Sequence, residues 1–326
     1  MRRRAFLVLL GAAAASSLPA LAQPRPMPVI GFLNVTSADA YKTYVEAFRE
    51  GLKDAGYVEG ENVTIEFRWA EGHYDRLPAL AAELVHLPAT LILASGGGAP
   101  AMAARAANPT IPIVFTTGGD PVKLGLVGSL NHPGGNTTGV NLSTNALIAK
   151  RVELLRELLP KAETIALLSD PASPAAAADT EEAEGAARAQ GFRLVEVTAG
   201  TKTEFEAAFA TFAQKHAEGL VVGASAVFTS ERSQLVALAA RYAIPAIFEW
   251  PDFATAGGLM SYGTNLADGY QQAGIYAGRI LKGEKPGDLP VMQLSKVDLV
   301  VNLRTARALG LTIPQSLLAR ADEVIE

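Results

Sequence analysis

The chain has 326 residues, of which 49% are hydrophobic, 19% are charged and none is cysteine, and its formal net charge is −5. At roughly 100–200 residues per domain, this length provides for about two domains. The lack of cysteine excludes disulfides, zinc–thiolate sites, iron–sulfur clusters and a cysteine nucleophile. The net negative charge does not indicate the basic surface that nucleic-acid binding needs, so we expect no nucleic-acid partner.

The first 22 residues have the composition of a secretory signal peptide. Residues 2–4 are arginines, residues 6–15 form a short apolar run, and residues 20–22 form a small-x-small cleavage site. The run is shorter than the roughly 20 residues that cross a bilayer. The arginines are compatible with export by the Sec route and by the twin-arginine route. We expect a soluble mature protein in an exported compartment.

Strand and helix patterns alternate in the first half of the remaining chain. Ser37 is predicted to cap the first helix, which ends at Gly56. The predicted strands and helices are, in order, strand 29–33, helix 37–55, strand 63–69, helix 77–85, strand 91–94, helix 101–107 and strand 113–115. Apolar strands that alternate with helices at this spacing indicate right-handed crossovers on a parallel sheet.

The same pattern restarts in the second half, and the two runs meet near Lys161. Its elements are helix 146–159, strand 165–168, helix 175–190, strand 194–197, helix 205–215, strand 220–222, helix 233–242, strand 246–248, strand 259–262, helix 268–281, strand 297–301 and helix 304–309. Each run has about the length of one doubly wound sheet. We therefore predict an α/β fold with two doubly wound parallel-sheet lobes.

The sequence lacks the strong motifs of common catalytic and cofactor sites. Its four histidines are scattered, and the GxSxG, SxxK and GxxxxGK[ST] motifs do not occur. Residues 95–98 (Ser-Gly-Gly-Gly) lie between a predicted strand and helix but lack the GxGxxG spacing of a dinucleotide loop. A carboxylate or another small anion at this helix N-terminus is the alternative. We expect no metal, no cofactor and no enzymatic activity.

Polar residues follow the predicted strands, at the carboxyl ends where open α/β sheets bind ligands. The predicted ligand-binding residues are Asn34, Ser37, Ser95, Gly96, Gly97, Thr117, Asp120, Asn141, Asp170, Ser225, Glu249 and Tyr262. Three of them have an equally good structural interpretation, because Ser37 and Asp120 are suited to cap helices and Asp170 to form a turn.

Six segments together resemble a known family. They are residues 48–63 (FREGLKDAGYVEGENV), 111–122 (IPIVFTTGGDPV), 132–140 (HPGGNTTGV), 243–246 (AIPA), 257–263 (GGLMSYG) and 277–283 (AGRILKG). They resemble the ABC-transporter substrate-binding proteins of the TrpX-like kind, in the right order and over nearly all of the chain after the signal.

The resemblance implies a type I periplasmic binding fold with a ligand cleft between two lobes that are joined by three crossings. Lobe 1 would comprise residues 27–160 and 264–288, and lobe 2 residues 161–263 and 289–326. In this arrangement the loop at residues 95–97 and Thr117 would bind a ligand carboxylate. Asp120, Asp170 or Glu249 would bind its ammonium group, and Tyr262 would form a wall of the cleft.

The implied function is capture of a small ligand, such as an aromatic or other amino acid, by lobe closure in the periplasm. The protein would act as a monomer and deliver the ligand to an ABC permease and its ATPase at the inner membrane. A ligand-sensing module for a membrane receptor is the alternative that the sequence does not separate from this one. An exported α/β enzyme is a further alternative, which lacks a visible nucleophile–base pair.

Overall fold

Residues 27–326 are the ones that this computed structural model describes, and the predicted signal at residues 1–22 lies outside them. The strands are β1 (Val29–Asn34), β2 (Thr64–Trp69), β3 (Ala89–Ser95), β4 (Ile113–Thr117), β5 (Thr137–Asn141), β6 (Thr164–Ser169), β7 (Arg193–Thr198), β8 (Gly219–Val222), β9 (Ala246–Phe248), β10 (Met260–Gly263), β11 (Met292–Gln293), β12 (Asp298–Asn302) and β13 (Glu323–Ile325).

Helices connect most of these strands, as the alternating pattern predicts. They are α1 (Lys42–Asp54), α2 (Leu77–His86), α3 (Gly98–Ala107), α4 (Ile148–Leu158), α5 (Ala176–Ala189), α6 (Phe205–Gln214), α7 (Ala226–Ser230), α8 (Arg232–Arg241), α9 (Pro251–Thr255), α10 (Leu266–Leu281), α11 (Leu303–Ala308) and α12 (Gln315–Leu318). Within residues 27–326, none of these helices combines the length and the apolarity that crossing a membrane requires.

The first sheet has the strand order β11-β5-β4-β3-β1-β2, and its strands pair in parallel. Side chains of β1 alternate between its two faces because successive residues of a strand point in opposite directions. Ile30 and Phe32 pack with Phe48 of α1, whereas Leu33 packs with Leu84 of α2. Helices therefore cover both faces of this sheet.

The second sheet has the order β13-β12-β10-β9-β8-β6-β7. Its strands pair in parallel except that β12 runs antiparallel to β10. The prediction of two lobes with doubly wound sheets is confirmed, with this one antiparallel pair as a difference. The reason is that β10 ends at the carboxyl edge of the sheet, the chain leaves there for the other lobe, and β12 re-enters from that same edge.

The chain passes between the two sheets three times, before α4, before α10 and after β11. The first crossing was expected at residues 160–161, but Ile148 and Val152 of α4 share a core with Ile165 of β6. The third was expected near Leu289, but β11 still pairs with β5. Lobe 1 is therefore the first sheet with α1, α2, α3 and α10, and lobe 2 is the second sheet with the remaining helices. Pro160 therefore follows a helix inside lobe 2 and does not mark the boundary between the lobes.

Helices α1 and α10 approach each other through glycines. A Cβ atom at Gly51 would lie 1.9 Å from the carbonyl oxygen of Gln271, and one at Gly274 would lie 2.2 Å from that of Phe48. Both distances are far shorter than van der Waals contact, so only glycine lets the two backbones pack this closely. The contact fixes α10, which follows the second crossing, against lobe 1.

We expect Gly274→Ala to lower the free energy of unfolding by about 1–3 kcal/mol, because the added methyl group overpacks the contact. Gly185→Ala is the matched control, since Gly185 also lies inside a helix but a Cβ there meets nothing within 4 Å. That control is expected to raise the stability by up to about 1 kcal/mol. Urea unfolding of both variants measures the difference, and equal effects would contradict the close contact.

Candidate ligand-binding site

A cavity lies between the lobes at the carboxyl ends of the parallel strands. Lobe 1 contributes the loops after β3 and β4, and lobe 2 contributes the loops after β6, β8 and β9. The cavity has a volume of about 60 Å³. One buried water needs roughly 10–15 Å³, so the cavity has room for several waters. The cavity is therefore suited to a small organic molecule and is too small for a peptide or a polymer.

The lobe 1 wall contains the N-terminus of α3. Gly96 and Gly97 have φ angles of 84° and 105°, a left-handed region in which only glycine is unstrained. The N-cap residue Gly97 has no side chain to cap the first N–H groups of α3, and Gly97, Gly98 and Ala99 line the cavity. The Thr117 side chain lines it beside them. Free N–H groups and the helix dipole make this wall favourable for an anion.

Tyrosines form the second part of the lobe 1 wall, where Tyr41, Tyr74 and Tyr270 line the cavity. Asn34 lies behind Tyr270 and donates through Nδ2 to the Tyr270 hydroxyl at 3.4 Å and to Ser95 Oγ at 2.9 Å. Burial raises the pKa of Tyr270 to about 12. The phenol therefore stays neutral, and the wall is suited to the apolar face of a ring.

Lobe 2 brings one buried carboxylate to the cavity. Glu249 is 1% exposed, and its Oε1 accepts a long hydrogen bond of 3.5 Å from the Thr229 hydroxyl. Its Oε2 has no hydrogen-bond partner within residues 27–326. Burial raises the pKa of Glu249 to about 8. The same described range contains no group of three or more His, Asp or Glu placed to hold a metal ion.

A hydrogen bond joins the lobes beside the cavity. The Tyr74 hydroxyl of lobe 1 donates to Asp170 Oδ2 of lobe 2 at 2.9 Å. Ser225 Oγ donates to the same oxygen at 2.6 Å, and the N–H of Ala172 donates to Asp170 Oδ1 at 3.0 Å. Burial and the neighbouring carboxylate raise the pKa of Tyr74, so it stays a donor. We call this contact the Tyr74–Asp170 bond.

The twelve predicted site residues fall into three groups. Five of them line the cavity: Gly96, Gly97, Thr117, Ser225 and Glu249. Three lie behind its wall and bond to residues that line it: Asn34, Ser95 and Asp170. The other four lie outside the cavity wall: Ser37, Asp120, Asn141 and Tyr262.

Each of the four outlying residues has a structural environment of its own. Asp120 accepts hydrogen bonds from the N–H groups of the turn that follows it, which is the capping alternative. Asn141 accepts from the N–H of Ser143 at 2.9 Å, and Tyr262 packs on the core of lobe 2. Ser37 precedes α1 by five residues and does not cap it, because Tyr41 is at the N-cap. The predicted Ser37 cap is therefore wrong.

Sequence reasoning missed cavity residues that do not follow a strand directly. Tyr41 precedes α1, Tyr74 lies in a short turn, and Tyr270 lies in α10. Tyr270 reaches the cavity only because the glycine contact places α10 against lobe 1. The only sign of Tyr41 in the sequence is that a second tyrosine, Tyr44, follows it closely; in the structure their rings lie 5.1 Å apart.

Comparison with known proteins assigns the chain to a family. The family described as ABC transporter substrate binding protein matches residues 29–325. The chain belongs to this family. A relative, the tyrosine-binding protein of Clostridioides difficile (strain R20291), is 29% identical over 266 residues, which are 82% of this chain and 76% of the relative. The predicted family is therefore confirmed, and it is one defined by substrate binding.

Two solved structures resemble this substrate-binding protein over 91% of its chain and 99% of theirs, each at 26% identity. The ABC domain from Streptococcus pneumonia in complex with L-Trp superposes with a TM-score of 0.82. A ligand-free, open substrate-binding protein from Clostridium difficile superposes with a TM-score of 0.63. The predicted type I periplasmic binding fold is confirmed. This protein superposes better on the L-Trp complex than on the open structure.

We expect Tyr74→Phe to favour an open arrangement, because it keeps the ring and removes the hydroxyl of the Tyr74–Asp170 bond. The closed arrangement should lose about 0.5–1.5 kcal/mol, which weakens ligand binding roughly two- to tenfold. Small-angle X-ray scattering of the ligand-free variant should give a larger radius of gyration than the wild type. Tyr57→Phe is the control, since Tyr57 packs on the core away from the cavity. An unchanged radius for Tyr74→Phe would contradict a closing role.

Proposed function

We propose that this substrate-binding protein captures a small aromatic amino acid between its lobes and delivers it for import by an ABC permease and its ATPase. The observation that carries the proposal is the composition of the cavity wall. An uncapped helix N-terminus, a buried carboxylate and three tyrosines surround one small space. These groups complement the carboxylate, the ammonium group and the ring of such a ligand. The names of the tyrosine-binding relative and of the L-Trp complex agree with this class.

The ligand carboxylate binds at the N-terminus of α3 in this proposal. Gly97, Gly98 and Ala99 present backbone N–H groups there, and Thr117 adds a hydroxyl. The glycines allow the carboxylate to approach the backbone closely. The helix dipole adds a favourable interaction of about 0.3–1 kcal/mol at an exposed site and up to about 2 kcal/mol at a partly buried one.

The aromatic ring packs among Tyr41, Tyr270 and Trp250, which line the cavity. Burial of about 150–250 Å² of ring surface contributes roughly 4–6 kcal/mol at about 25 cal/mol per Å². Micromolar affinity needs about 8 kcal/mol net. The ring therefore does not suffice alone, and the contacts to the carboxylate and ammonium groups must supply the difference and offset ordering costs.

Lobe closure couples capture to delivery. A ligand shifts the equilibrium between open and closed forms only if it binds one of them more tightly. An amino acid that contacts α3 of lobe 1 and Glu249 of lobe 2 at the same time binds the closed form more tightly, because the two contacts exist together only in that form. The closed protein is then what the permease recognises. In this proposal the protein acts as a monomer in the periplasm, exported by its N-terminal signal.

A thermal-unfolding screen of the twenty amino acids and small carboxylates tests the ligand class. L-Tryptophan, L-tyrosine or L-phenylalanine at about 100 times its Kd should stabilise the protein by roughly 2.7 kcal/mol. The amide of the same amino acid is the matched control, and it should bind at least tenfold more weakly because it lacks the carboxylate. Stabilisation only by aliphatic amino acids would exclude the aromatic class, and stabilisation by none of the twenty would exclude the proposal. Uptake of the labelled ligand by cells that lack this gene tests the import step.

A further inference from the structure

Glu249 is the only acidic residue in the described cavity wall. Its Oε2 has no hydrogen-bond partner within the described chain, and its Oε1 accepts a long hydrogen bond of 3.5 Å from Thr229. The backbone of Ser225 and the side chain of Trp250 also act on the carboxylate and lower its pKa, against the larger effect of burial. Asp170 differs, because both of its oxygens accept hydrogen bonds from neighbouring groups. Of the two lobe 2 carboxylates predicted to bind an ammonium group, Glu249 is therefore the one that lines the cavity and has an oxygen without a hydrogen-bond partner in the described chain.

Two buried charged residues lie near Glu249 inside lobe 2. Arg151 of α4 is 0% exposed and Asp179 of α5 is 2% exposed. Arg151 donates to the backbone carbonyls of Thr144 and Val222, and no ion pair within 4.0 Å joins it to either carboxylate of the described chain. If Glu249 and Asp179 were both ionised, two negative charges would share one positive charge among side chains that are at most 2% exposed.

The groups that face Glu249 from lobe 1 bring no positive charge. They are Tyr41 and Tyr44, and burial raises the pKa of both, so they stay neutral. Asp252 of lobe 2 raises the pKa of Tyr44, and Arg232 of lobe 2 lowers it. Isolated buried charges are costly, and a buried acid without a partner keeps its proton instead.

We infer that Glu249 binds the ammonium group of the ligand and that it releases its proton when the ligand enters. The inference rests on the proposed amino-acid ligand. In the free protein the carboxyl group is neutral, and in the complex the ligand ammonium replaces the proton as its counter-charge. The step balances as one carboxylic acid and one ammonium ion giving a carboxylate–ammonium pair and one proton in solvent.

The pKa values of the two acids agree with this geometry. Burial raises the pKa of Glu249 to about 8, Arg151 opposes the shift, and Asp179 adds to it. Burial raises the pKa of Asp179 to about 7, and Arg151 again opposes the shift. Since the free protein holds a proton that the complex lacks, ligand affinity rises with pH below about 8, and it falls again at the higher pH where the ligand ammonium group loses its own proton.

The replacement of the Glu249 proton by the ligand ammonium group also determines which ligands the site selects. A deaminated acid such as indole-3-propionate has the ring and the carboxylate but brings no cation to Glu249. It can bind only with Glu249 protonated, so its binding releases no proton and does not strengthen as the pH rises. The site therefore separates amino acids from their deaminated analogues.

Isothermal titration calorimetry tests the inference with whichever of L-tryptophan, L-tyrosine and L-phenylalanine binds best. Titrations in buffers of different ionisation enthalpy count the released protons. We expect most of one proton to be released at pH 7 and less at pH 8, with a roughly tenfold gain in affinity from pH 6 to pH 7. Indole-3-propionate should bind at least tenfold more weakly at pH 8 and release none.

Two variants identify the group that gives up the proton. Glu249→Gln should abolish proton release and weaken amino-acid binding at least tenfold at pH 8, because the amide cannot become an anion. Asp179→Asn should keep proton release but move its midpoint to lower pH, since it removes a negative charge near Glu249. Thermal unfolding checks that both variants fold, and if Glu249→Gln does not, the wild-type proton count and the indole-3-propionate comparison decide.

The outcomes separate this inference from the proposed function. Amino-acid binding that releases no proton between pH 6 and pH 8 would overturn the inference and leave the proposed function intact. Loss of proton release in Asp179→Asn but not in Glu249→Gln would overturn it as well. If no amino acid binds at all, both proposals fail.

Discussion

The parallel pairing of the strands determines where this protein can bind a ligand. Parallel strands all end at the same edge of a sheet, and here the carboxyl edges of the two sheets face each other across one cavity. The loops after β3, β4, β6, β8 and β9 meet there without having to be long. The one antiparallel pair obeys the same constraint, because the chain leaves β10 and re-enters at β12 on that edge. The crossings and the candidate site therefore share one region of the molecule.

Much of the fold could be predicted because its central strands are short apolar runs between helical patterns. Strand β5 was missed, since Thr137–Asn141 is mostly polar and contains Gly139. A Cβ at Gly139 would lie 2.2 Å from the carbonyl oxygen of Phe115, so a close backbone contact explains the glycine. Such a contact between distant segments is not visible in a linear pattern. The lobe boundary was misplaced for the same reason, because the residues that pack on α4 follow it in the sequence.

The loop residues of the candidate site could be predicted from the sequence, but its tyrosines could not. Gly97 and Glu249 follow strands directly, so the rule for α/β sheets finds them. Tyr74 and Tyr270 reach the cavity through tertiary packing, which periodicity does not reveal. The hydrogen bonding of the two lobe 2 carboxylates could not be predicted from the sequence either. Asp170 and Glu249 both follow a strand, yet one is saturated with hydrogen bonds and the other has a free oxygen.

The glycine contact between α1 and α10 has a consequence for the order of events during capture. It makes α10 part of the body of lobe 1, although α10 comes directly after a crossing, so Tyr270 keeps its place beside the N-terminus of α3 when the lobes separate. Half of the recognition surface is thus preassembled in the open protein. In the proposed mechanism a ligand would therefore bind to lobe 1 first, and lobe 2 would then close over the end that is still exposed.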